Sequence, residues 1–389
     1  MNGDGPVFAL VAGEDSGDQL GAELIGALRA IHPQARFVGV GGPRMREAGF
    51  EAWHDISELS VMGLAEVLTS LPRLLRLRAS VAKRLIALKP DVFVGVDAPD
   101  FNLGLERKLK RAGIRTVHYV SPSIWAWREK RAAKIGQSAD RVLCLFPMEP
   151  AIYEKYGVDA RFVGHPLADR FPLVSDRETA RKELDLAQDA PVLAVLPGSR
   201  RSEIQRLGAI FLDAAARVRN EIPDLQIVVP AANARCAAMI RGLRGTSGVN
   251  LVEGRSHLAM AAADVVLLAS GTAALEAMLA KRPMVVAYRI SPLTYRVVRG
   301  LKLLKTDLYS LPNVLAAHRL VPELMQDECT AEKLATEVLR LLREPGRRAL
   351  MIGAFERMHL SLHQGGGAAA AAARAVDELL PAEHPRLST

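Results

Sequence analysis

The stretch that decides the fold is residues 191–218, PVLAVLPGSRRSEIQRLGAIFLDAAARV. Its beginning, Val192–Leu196, is a short apolar run between two prolines, which is typical of a buried parallel strand. A Pro-Gly-Ser turn then ends the run, and apolar residues recur at helical spacing. These residues are Ile204, Leu207, Phe211, Ala215 and Val218. The stretch therefore predicts a strand, a loop and a helix in direct succession.

The loop at residues 198–201 is a candidate anion site. At the start of a helix, free backbone N–H groups and the helix dipole favour negative charge. Arg200 and Arg201 add fixed positive charge, and a diphosphate suits such a loop. A simple turn with solvated arginines explains the same residues equally well.

The first half of the chain begins with the same unit. A strand at residues 7–11 precedes the loop GEDSGD, and Leu20, Leu24, Leu28 and Ile31 then mark one face of a helix. Each half thus predicts a doubly wound α/β sheet. The first loop is acidic, so Glu14 or Asp18 is suited to bind a hydroxyl or to act as a base. Helix capping by Ser16 and Asp18 is the alternative.

Asp97 follows another buried strand, at residues 91–96. Open α/β sheets bind ligands at the carboxyl ends of their strands, where a carboxylate can serve as a general base. Capping of the next helix is the competing role, and it suits Asp100 better than Asp97.

A second strand–loop–helix junction lies at residues 263–276. Ser270, Gly271 and Thr272 can hold a phosphate through hydroxyl and backbone N–H groups. Glu276 follows Thr272 by one helical turn and can accept hydrogen bonds from ribose hydroxyls. A capped helix with a solvated glutamate is the alternative.

Composition limits the class of protein. The 389 residues predict two domains, and three scattered cysteines without metal-ligand spacing fit a reducing cytoplasm. We expect neither a signal peptide nor a transmembrane helix. The net charge of +8 is compatible with nucleic acid, an anionic membrane or anionic substrates.

Boundaries follow from these patterns. We expect an N-terminal Rossmann-like domain at residues 1–168, a charged linker at 169–190 and a second Rossmann-like domain at 191–345. Helices at 346–389 are expected to pack back across the domains. Two basic amphipathic stretches, residues 61–88 and 293–305, are typical either of a membrane-surface helix or of a helix with a solvated basic face.

Seven blocks in order resemble the lipid-A-disaccharide synthase family, whose members have the two-domain GT-B glycosyltransferase architecture. The blocks are residues 13–18 (GEDSGD), 41–45 (GGPRM), 97–102 (DAPDFN), 118–127 (HYVSPSIWAW), 196–200 (LPGSR), 270–276 (SGTAALE) and 311–313 (LPN). They are spread in order from residue 13 to residue 313, so the resemblance extends over most of the chain. Asp15 departs from the family, which usually has a small residue there, and it adds a charge beside Glu14.

The resemblance implies two domains facing a cleft and an inverting transfer of 2,3-diacylglucosamine from its UDP derivative to 2,3-diacylglucosamine 1-phosphate. Asp97 is the first choice for the base, with Glu14 and Asp18 as alternatives. The implied substrate-binding residues are Ser16, Gly17, Arg200, Glu203, Ser270, Gly271, Thr272, Glu276, Arg289, Asn313 and Gln326. Arg200 and two helix N-termini are expected to stabilise departing UDP. No cofactor or metal is expected, because no Asp-x-Asp occurs.

A lipid substrate favours docking of the basic stretches on the anionic cytoplasmic face of the inner membrane. The sequence leaves open whether the chain acts as a homodimer. Competing hypotheses are a UDP-N-acetylglucosamine 2-epimerase, a peptidoglycan N-acetylglucosaminyltransferase and a basic nucleic-acid-binding protein. No nucleic-acid-binding motif supports the last. Neither half carries G-x-G-x-x-G after its first strand, which disfavours a dehydrogenase.

Overall fold

The computed structural model describes residues 5–59, 64–122, 131–290 and 308–381. The chain divides into two compact units. Unit 1 comprises residues 1–169 and 362–389, and unit 2 comprises residues 170–361. The chain therefore leaves unit 1 once and returns to it near its end.

Unit 1 is built on a parallel sheet that has seven strands within the described residues. The strands are β1 (Val7–Ala12), β2 (Arg36–Val40), β3 (Glu51–His54), β4 (Val92–Val96), β5 (Arg115–Tyr119), β6 (Arg141–Cys144) and β7 (Ala160–Phe162). The helices are α1 (Asp15–Ile31), α2 (Pro43–Glu47), α3 (Leu64–Leu88), α4 (Pro99–Arg111), α5 (Arg131–Gly136), α6 (Pro150–Glu154) and α7 (Pro166–Arg170). The spatial order is β3-β2-β1-β4-β5-β6-β7.

Unit 2 repeats this plan with six parallel strands among the residues described. They are β8 (Val192–Leu196), β9 (Gln226–Ala231), β10 (Val249–Glu253), β11 (Val265–Ala269), β12 (Met284–Tyr288) and β13 (Glu323–Met325). The helices are α8 (Arg177–Glu183), α9 (Arg201–Glu221), α10 (Ala234–Arg241), α11 (Ser256–Ala262), α12 (Thr272–Leu279), α13 (Leu311–Ala316), α14 (Ala331–Arg343) and α15 (Pro345–Leu362). The order is β10-β9-β8-β11-β12-β13.

The strand order reverses once in each sheet, between β1 and β4 and between β8 and β11. A crevice opens at such a reversal, because the helices on either side of it pack on opposite faces of the sheet. The central strands read as continuous apolar runs, since helices cover both faces. The predicted doubly wound α/β class is confirmed in both units.

Helix α9 shows how well the periodicity in the opening stretch predicts packing. The residues predicted to form its apolar face are buried, and they are Ile204, Leu207, Phe211, Ala215 and Val218. Burying an apolar side chain of this size contributes roughly 1.5–3 kcal/mol. The helix is therefore fixed to its sheet by the face that its spacing predicts.

The last helix, α16 (Ala368–Asp377), belongs to unit 1 and packs against α1. Its alanines Ala372 and Ala373 are fully buried in the core of that unit. Small side chains let two helices approach closely, so the alanine tract is a packing surface. A buried contact of 2.6 Å between His32 Nε2 and Asp377 Oδ1 ties the two helices together.

Residues 170–190, which lie in the predicted linker, belong to unit 2 and include helix α8. The guanidinium of Arg181 is buried and lies 2.8 Å from Asp264. It also donates to the backbone carbonyls of Gln188 and Ala190. One arginine thus connects this charged stretch to the start of β11.

Among the helices that the structure describes, none has both the length and the hydrophobicity needed to cross a bilayer.

Candidate active site

The first candidate site lies where β1 and β4 end. Glu14 immediately precedes α1 in an extended conformation, and its side chain and that of Ser16 are exposed. Gly17 is buried, and a Cβ there would lie 3.4 Å from Ala12 Cβ and 3.5 Å from the Val96 carbonyl oxygen. The first turn of α1 therefore packs directly on the carboxyl ends of both strands.

Asp18 is buried, with only 2% of its surface exposed. Its carboxylate accepts hydrogen bonds from the backbone N–H groups of Gly42, Arg44 and Met45 at 2.7, 3.0 and 3.2 Å. These groups belong to the GGPRM turn and the first residues of α2, which have unpaired N–H donors. Asp18 thus caps α2 rather than its own helix, and it fixes the turn that follows β2.

Asp97 is partly exposed at the end of β4. Its backbone is left-handed, with φ of +52°, and Ala98 follows with φ of +43°. Two such residues in succession store strain of order 1–3 kcal/mol each. The Asp97 N–H donates to the Tyr119 carbonyl at 2.8 Å, and the Asp97 carbonyl accepts from Asn102 Nδ2 at 2.9 Å. Contacts on both sides hold this conformation.

A buried carboxyl group that the sequence did not indicate lies near the same edge. Glu149 follows β6 and accepts from the Phe146 N–H at 3.1 Å. Burial raises the pKa of Glu149 to about 7, although hydrogen bonds from Phe146 and Ser121 oppose the shift. The sequence gave no signal that Glu149 is buried, because it contains only an acidic residue before a proline at this position.

The loop after β8 in unit 2 is partly closed by its own helix. Glu203 Oε2 accepts from the N–H groups of Ser199 and Arg200 at 3.1 and 3.2 Å. Gly198 has φ of +117°, and a Cβ there would meet Glu203 Oε2 at 2.4 Å, so only glycine fits. Glu203 therefore occupies two of the N–H groups that the sequence offered to a diphosphate. The Arg200 side chain is 80% exposed, and its Nη1 lies 3.6 Å from Glu203 Oε1.

The loop after β11 differs. Gly271 precedes α12, none of the side chains that the structure describes caps that helix, and Gly271 and Thr272 are exposed. Unpaired N–H groups in a first helical turn favour an anion. Glu276 is half-buried one turn along, and burial raises the pKa of Glu276 against the opposing effect of His257 on α11. The loop after β11 is therefore better suited to bind a phosphate than the loop after β8.

The remaining predicted residues follow the next strands. Arg289 is exposed after β12, and Gln326 follows β13 with φ of +52°. Asn313 is fully buried, donates to the Val321 carbonyl, and accepts from the N–H groups of Leu320 and Val321. Its amide thus shapes the turn before β13.

Across the described ranges, no three His, Cys, Asp or Glu side chains are grouped so as to hold a metal ion. Two predictions lie outside the described residues. One is the end of the motif block at residues 118–127, which contains Trp125 and Trp127. The other is the basic stretch at residues 293–305, which contains Arg296, Arg299, Lys302 and Lys305.

Each unit brings several of its predicted residues to the point where its strand order reverses. In unit 1 that point is acidic and carries Glu14, Asp18 and Asp97. In unit 2 it carries the exposed Arg200 and the uncapped start of α12, on adjacent strands β8 and β11. One edge is suited to remove a proton, and the other is suited to hold a diphosphate.

Comparison with known proteins covers nearly the whole chain. The family model described as lipid-A-disaccharide synthetase matches residues 8–367. The lipid-A-disaccharide synthase of Xanthomonas campestris pv. campestris (strain 8004) is 57% identical over 380 residues, which are 96% of this chain and 86% of that protein. The synthase of Xylella fastidiosa (strain 9a5c) is 55% identical over 381 residues, 97% of this chain and 98% of that one.

Solved structures with the same fold are more distant in sequence. The UDP-GlcNAc 2-epimerase of Neisseria meningitidis bound to UDP-GlcNAc has a TM-score of 0.59 at 13% identity, covering 91% of this chain and 98% of that one. The calicheamicin glycosyltransferase has a TM-score of 0.57 at 18% identity, covering 97% and 98%. These similarities support the GT-B fold alone. The family match, by contrast, favours the synthase over the epimerase, peptidoglycan transferase and nucleic-acid-binding hypotheses.

Proposed function

We propose that this chain, which belongs to the lipid-A-disaccharide synthase family, joins UDP-2,3-diacylglucosamine to 2,3-diacylglucosamine 1-phosphate. The products are a β-1,6-linked disaccharide 1-phosphate and UDP. The observation that carries the proposal is the opposite chemistry of the two strand-order reversals, acidic in unit 1 and cationic in unit 2. A transfer that needs both a base and a diphosphate site matches this pairing.

The reaction balances with one proton transfer. The acceptor 6-hydroxyl attacks the anomeric carbon of the donor, a C–O bond forms, and the bond to the UDP oxygen breaks on the opposite face. We assign removal of the hydroxyl proton to Asp97, because it is partly exposed and its backbone is held on both sides. A positioned base contributes about 10²- to 10⁴-fold to the rate.

Glu14 and Asp18 have different roles in this proposal. Both oxygens of Asp18 accept backbone N–H groups, so we assign it to shaping the acceptor edge. Glu14 is exposed and is the alternative base. In the first turn of α1, we assign the exposed Ser16 to a substrate hydroxyl, and Gly17 lets this turn pack on the strand ends beside the substrate.

We assign the diphosphate of UDP to the start of α12 and to Arg200. Ser270, Gly271 and Thr272 supply N–H and hydroxyl donors, and Arg200 supplies charge as UDP departs. Glu203 fixes the Arg200 loop. Glu276 accepts the ribose hydroxyls. Further contacts to the donor are assigned to Arg289 and Gln326, with Asn313 as support for the turn before β13.

The test is release of UDP with both diacylated substrates, followed by identification of the disaccharide 1-phosphate. We expect UDP release to require the acceptor. UDP-N-acetylglucosamine without acyl chains is the matched control donor, and it should react poorly. Formation of a C2 epimer, or UDP release that does not depend on acceptor, would contradict the proposal.

We also propose that the protein docks on an anionic membrane on the cytoplasmic side. Helix α3 buries Leu77, Val81 and Leu85 in unit 1. Its N-terminal half exposes Leu71 and Leu75, at 47% and 45%, near Arg76. Apolar side chains beside cations favour the interface of an anionic bilayer.

Flotation with phosphatidylglycerol vesicles tests this docking. Leu71→Asp with Leu75→Asp should abolish flotation, whereas the same change at Leu173, exposed in unit 2, should not. High salt should weaken flotation, because part of the attraction is electrostatic. Flotation that survives both changes would contradict docking through α3.

A further inference from the structure

Three buried polar side chains, Asn102, Glu106 and His118, lie beside the backbone of Asp97 in unit 1, and we call them the row. Asn102, Glu106 and His118 are fully buried, the first two on α4 and the third on β5. The sequence marked Asn102 and His118 only as members of motif blocks, and it gave Glu106 no role.

The first contact joins α4 to the ends of two strands. Asn102 Nδ2 lies 3.1 Å from the Val11 carbonyl oxygen, 3.4 Å from that of Val96 and 2.9 Å from that of Asp97. Val11 and Val96 lie on either side of the strand-order reversal. One amide group therefore holds the two strand ends together and fixes the carbonyl of the strained Asp97.

The second contact joins α4 to β5 one helical turn later. Glu106 Oε1 and His118 Nδ1 are 2.7 Å apart, and neither side chain has any exposed surface. His118 precedes Tyr119, whose carbonyl accepts the Asp97 N–H at 2.8 Å. The pair therefore fixes the partner that holds the other side of Asp97.

Gly95 makes this arrangement sterically feasible. A Cβ at Gly95 would lie 2.2 Å from Glu106 Oε1 and 2.9 Å from Asn102 Cβ. Within the described chain, Glu106 Oε2 and His118 Nε2 have no hydrogen-bond partner. A buried histidine–carboxyl pair with unsatisfied atoms stabilises a fold poorly compared with apolar residues of similar size. Its presence under Asp97 therefore indicates a role in geometry.

We propose that Asn102, Glu106 and His118 are positioning residues that hold the Asp97 carboxylate in place for proton removal from the acceptor hydroxyl. This inference rests on the proposed role of Asp97. A displacement of a reacting group by about 1 Å lowers the rate by about 100-fold without a loss of binding. The row should therefore affect kcat and leave KM for the UDP-sugar unchanged.

The experiment compares Asn102→Ser, Glu106→Ala and Glu106→Gln with wild type. We expect the first two to lower kcat by about 10- to 100-fold, with KM for the donor within about 2-fold. Glu106→Gln keeps an oxygen that accepts from His118 and should restore most of kcat. A merely structural pair would give no such rescue at the level of kcat per folded protein.

The matched control is a second buried histidine–carboxylate pair in the described part of unit 1, His32 with Asp377. It lies beyond the far end of α1, about 25 Å along the 17-residue helix from the Asp97 edge. We expect His32→Gln to lower Tm with kcat unchanged, and His118→Gln to lower kcat. Equal kcat losses in His32→Gln and His118→Gln would overturn the proposal. So would a rise in KM for the donor with kcat unchanged.

Two further results keep the test decisive. If Glu106→Ala does not fold, Asn102→Ser and His118→Gln decide by the same criteria. If Asp97→Asn is fully active, the assignment of the base fails, regardless of the kcat values of the Asn102, Glu106 and His118 variants. If Asp97→Asn is inactive while Asn102→Ser and His118→Gln keep wild-type kcat, only the positioning proposal fails.

Discussion

The two strand-order reversals have one topology and opposite chemistry. In unit 1 the edge between β1 and β4 gathers carboxylates, whereas in unit 2 the edge between β8 and β11 presents Arg200 and uncapped N–H groups. The shared topology thus fixes where a ligand can bind, and the side chains determine which chemistry is possible there. At each edge one carboxylate also accepts hydrogen bonds from backbone N–H groups. It is Asp18 in unit 1 and Glu203 in unit 2.

The largest effect expected is at Asp97. Asp97→Asn keeps the shape of the side chain and removes its basicity, so kcat should fall by about 10³-fold, with little change in UDP affinity. Asp100→Asn is the matched control, because the Asp100 side chain is 99% exposed three residues later. Steady-state kinetics and UDP titration make the measurement. Retention of more than about a tenth of wild-type kcat would exclude Asp97 as the base.

Arg200 should show the next largest effect, on the other edge. Arg200→Ala removes a charge that stabilises departing UDP, and kcat/KM should fall by about 10²- to 10³-fold. Arg217→Ala on the same helix, where Arg217 pairs with Asp213, is the control and should be active. A normal kcat/KM for Arg200→Ala would leave the diphosphate to α12 alone.

Asp18 and Glu203 both accept backbone N–H groups, but at sites of different burial, so their removal should affect stability by different amounts. Asp18→Ala leaves three buried or part-buried donors without an acceptor and should lower the free energy of unfolding by about 3 kcal/mol. Glu203→Ala affects two exposed N–H groups and should lower it by about 1 kcal/mol. Urea denaturation measures both. Equal losses would show that burial does not distinguish the two edges.

Glu149 should make unit 1 sensitive to pH. Burial raises its pKa from 4.5 to about 7, so the folded state binds this proton more tightly than the unfolded state. Its contribution is fully present below pH 4.5 and is lost as the pH rises to about 7, a change of about 3 kcal/mol. In Glu149→Gln this decrease in the free energy of unfolding should be absent. Parallel pH profiles for variant and wild type would refute it.

Chelation should have the smallest effect. Because no Asp-x-Asp occurs and charge stabilisation is assigned to Arg200 and helix N-termini, EDTA should leave the initial rate unchanged. Complete loss of activity, restored by Mg²⁺ or Mn²⁺, would refute a metal-free reaction.

The sequence predicted the elements that carry the site. The apolar run Val192–Leu196 and the helical spacing of α9 gave a strand and a helix that the structure confirms. It also indicated Asp97, Arg200, Ser270 and Gly271 as loop residues after strands, which is where they lie, and Thr272 begins α12. Such features are local, because strand and helix periodicity depend on a few neighbouring residues.

The partners of polar groups could not be predicted in this way. The sequence offered Asp18 as a cap for its own helix, yet it caps α2, whose N–H groups lie 24 to 27 residues away along the chain. Asn313 was expected to bind substrate, and the structure buries its amide against the turn at Leu320 and Val321. Spacing gave no sign of either contact.

The sequence by itself determined two doubly wound sheets, their glycine-containing loops and the family. Only the tertiary structure decided that Glu203 occupies the N–H groups of its own loop, that α16 completes unit 1, and that Asn102, Glu106 and His118 lie under Asp97. The physical reason is that secondary structure follows from local periodicity. Hydrogen-bond partners of buried groups, by contrast, are set by which distant elements the topology brings together.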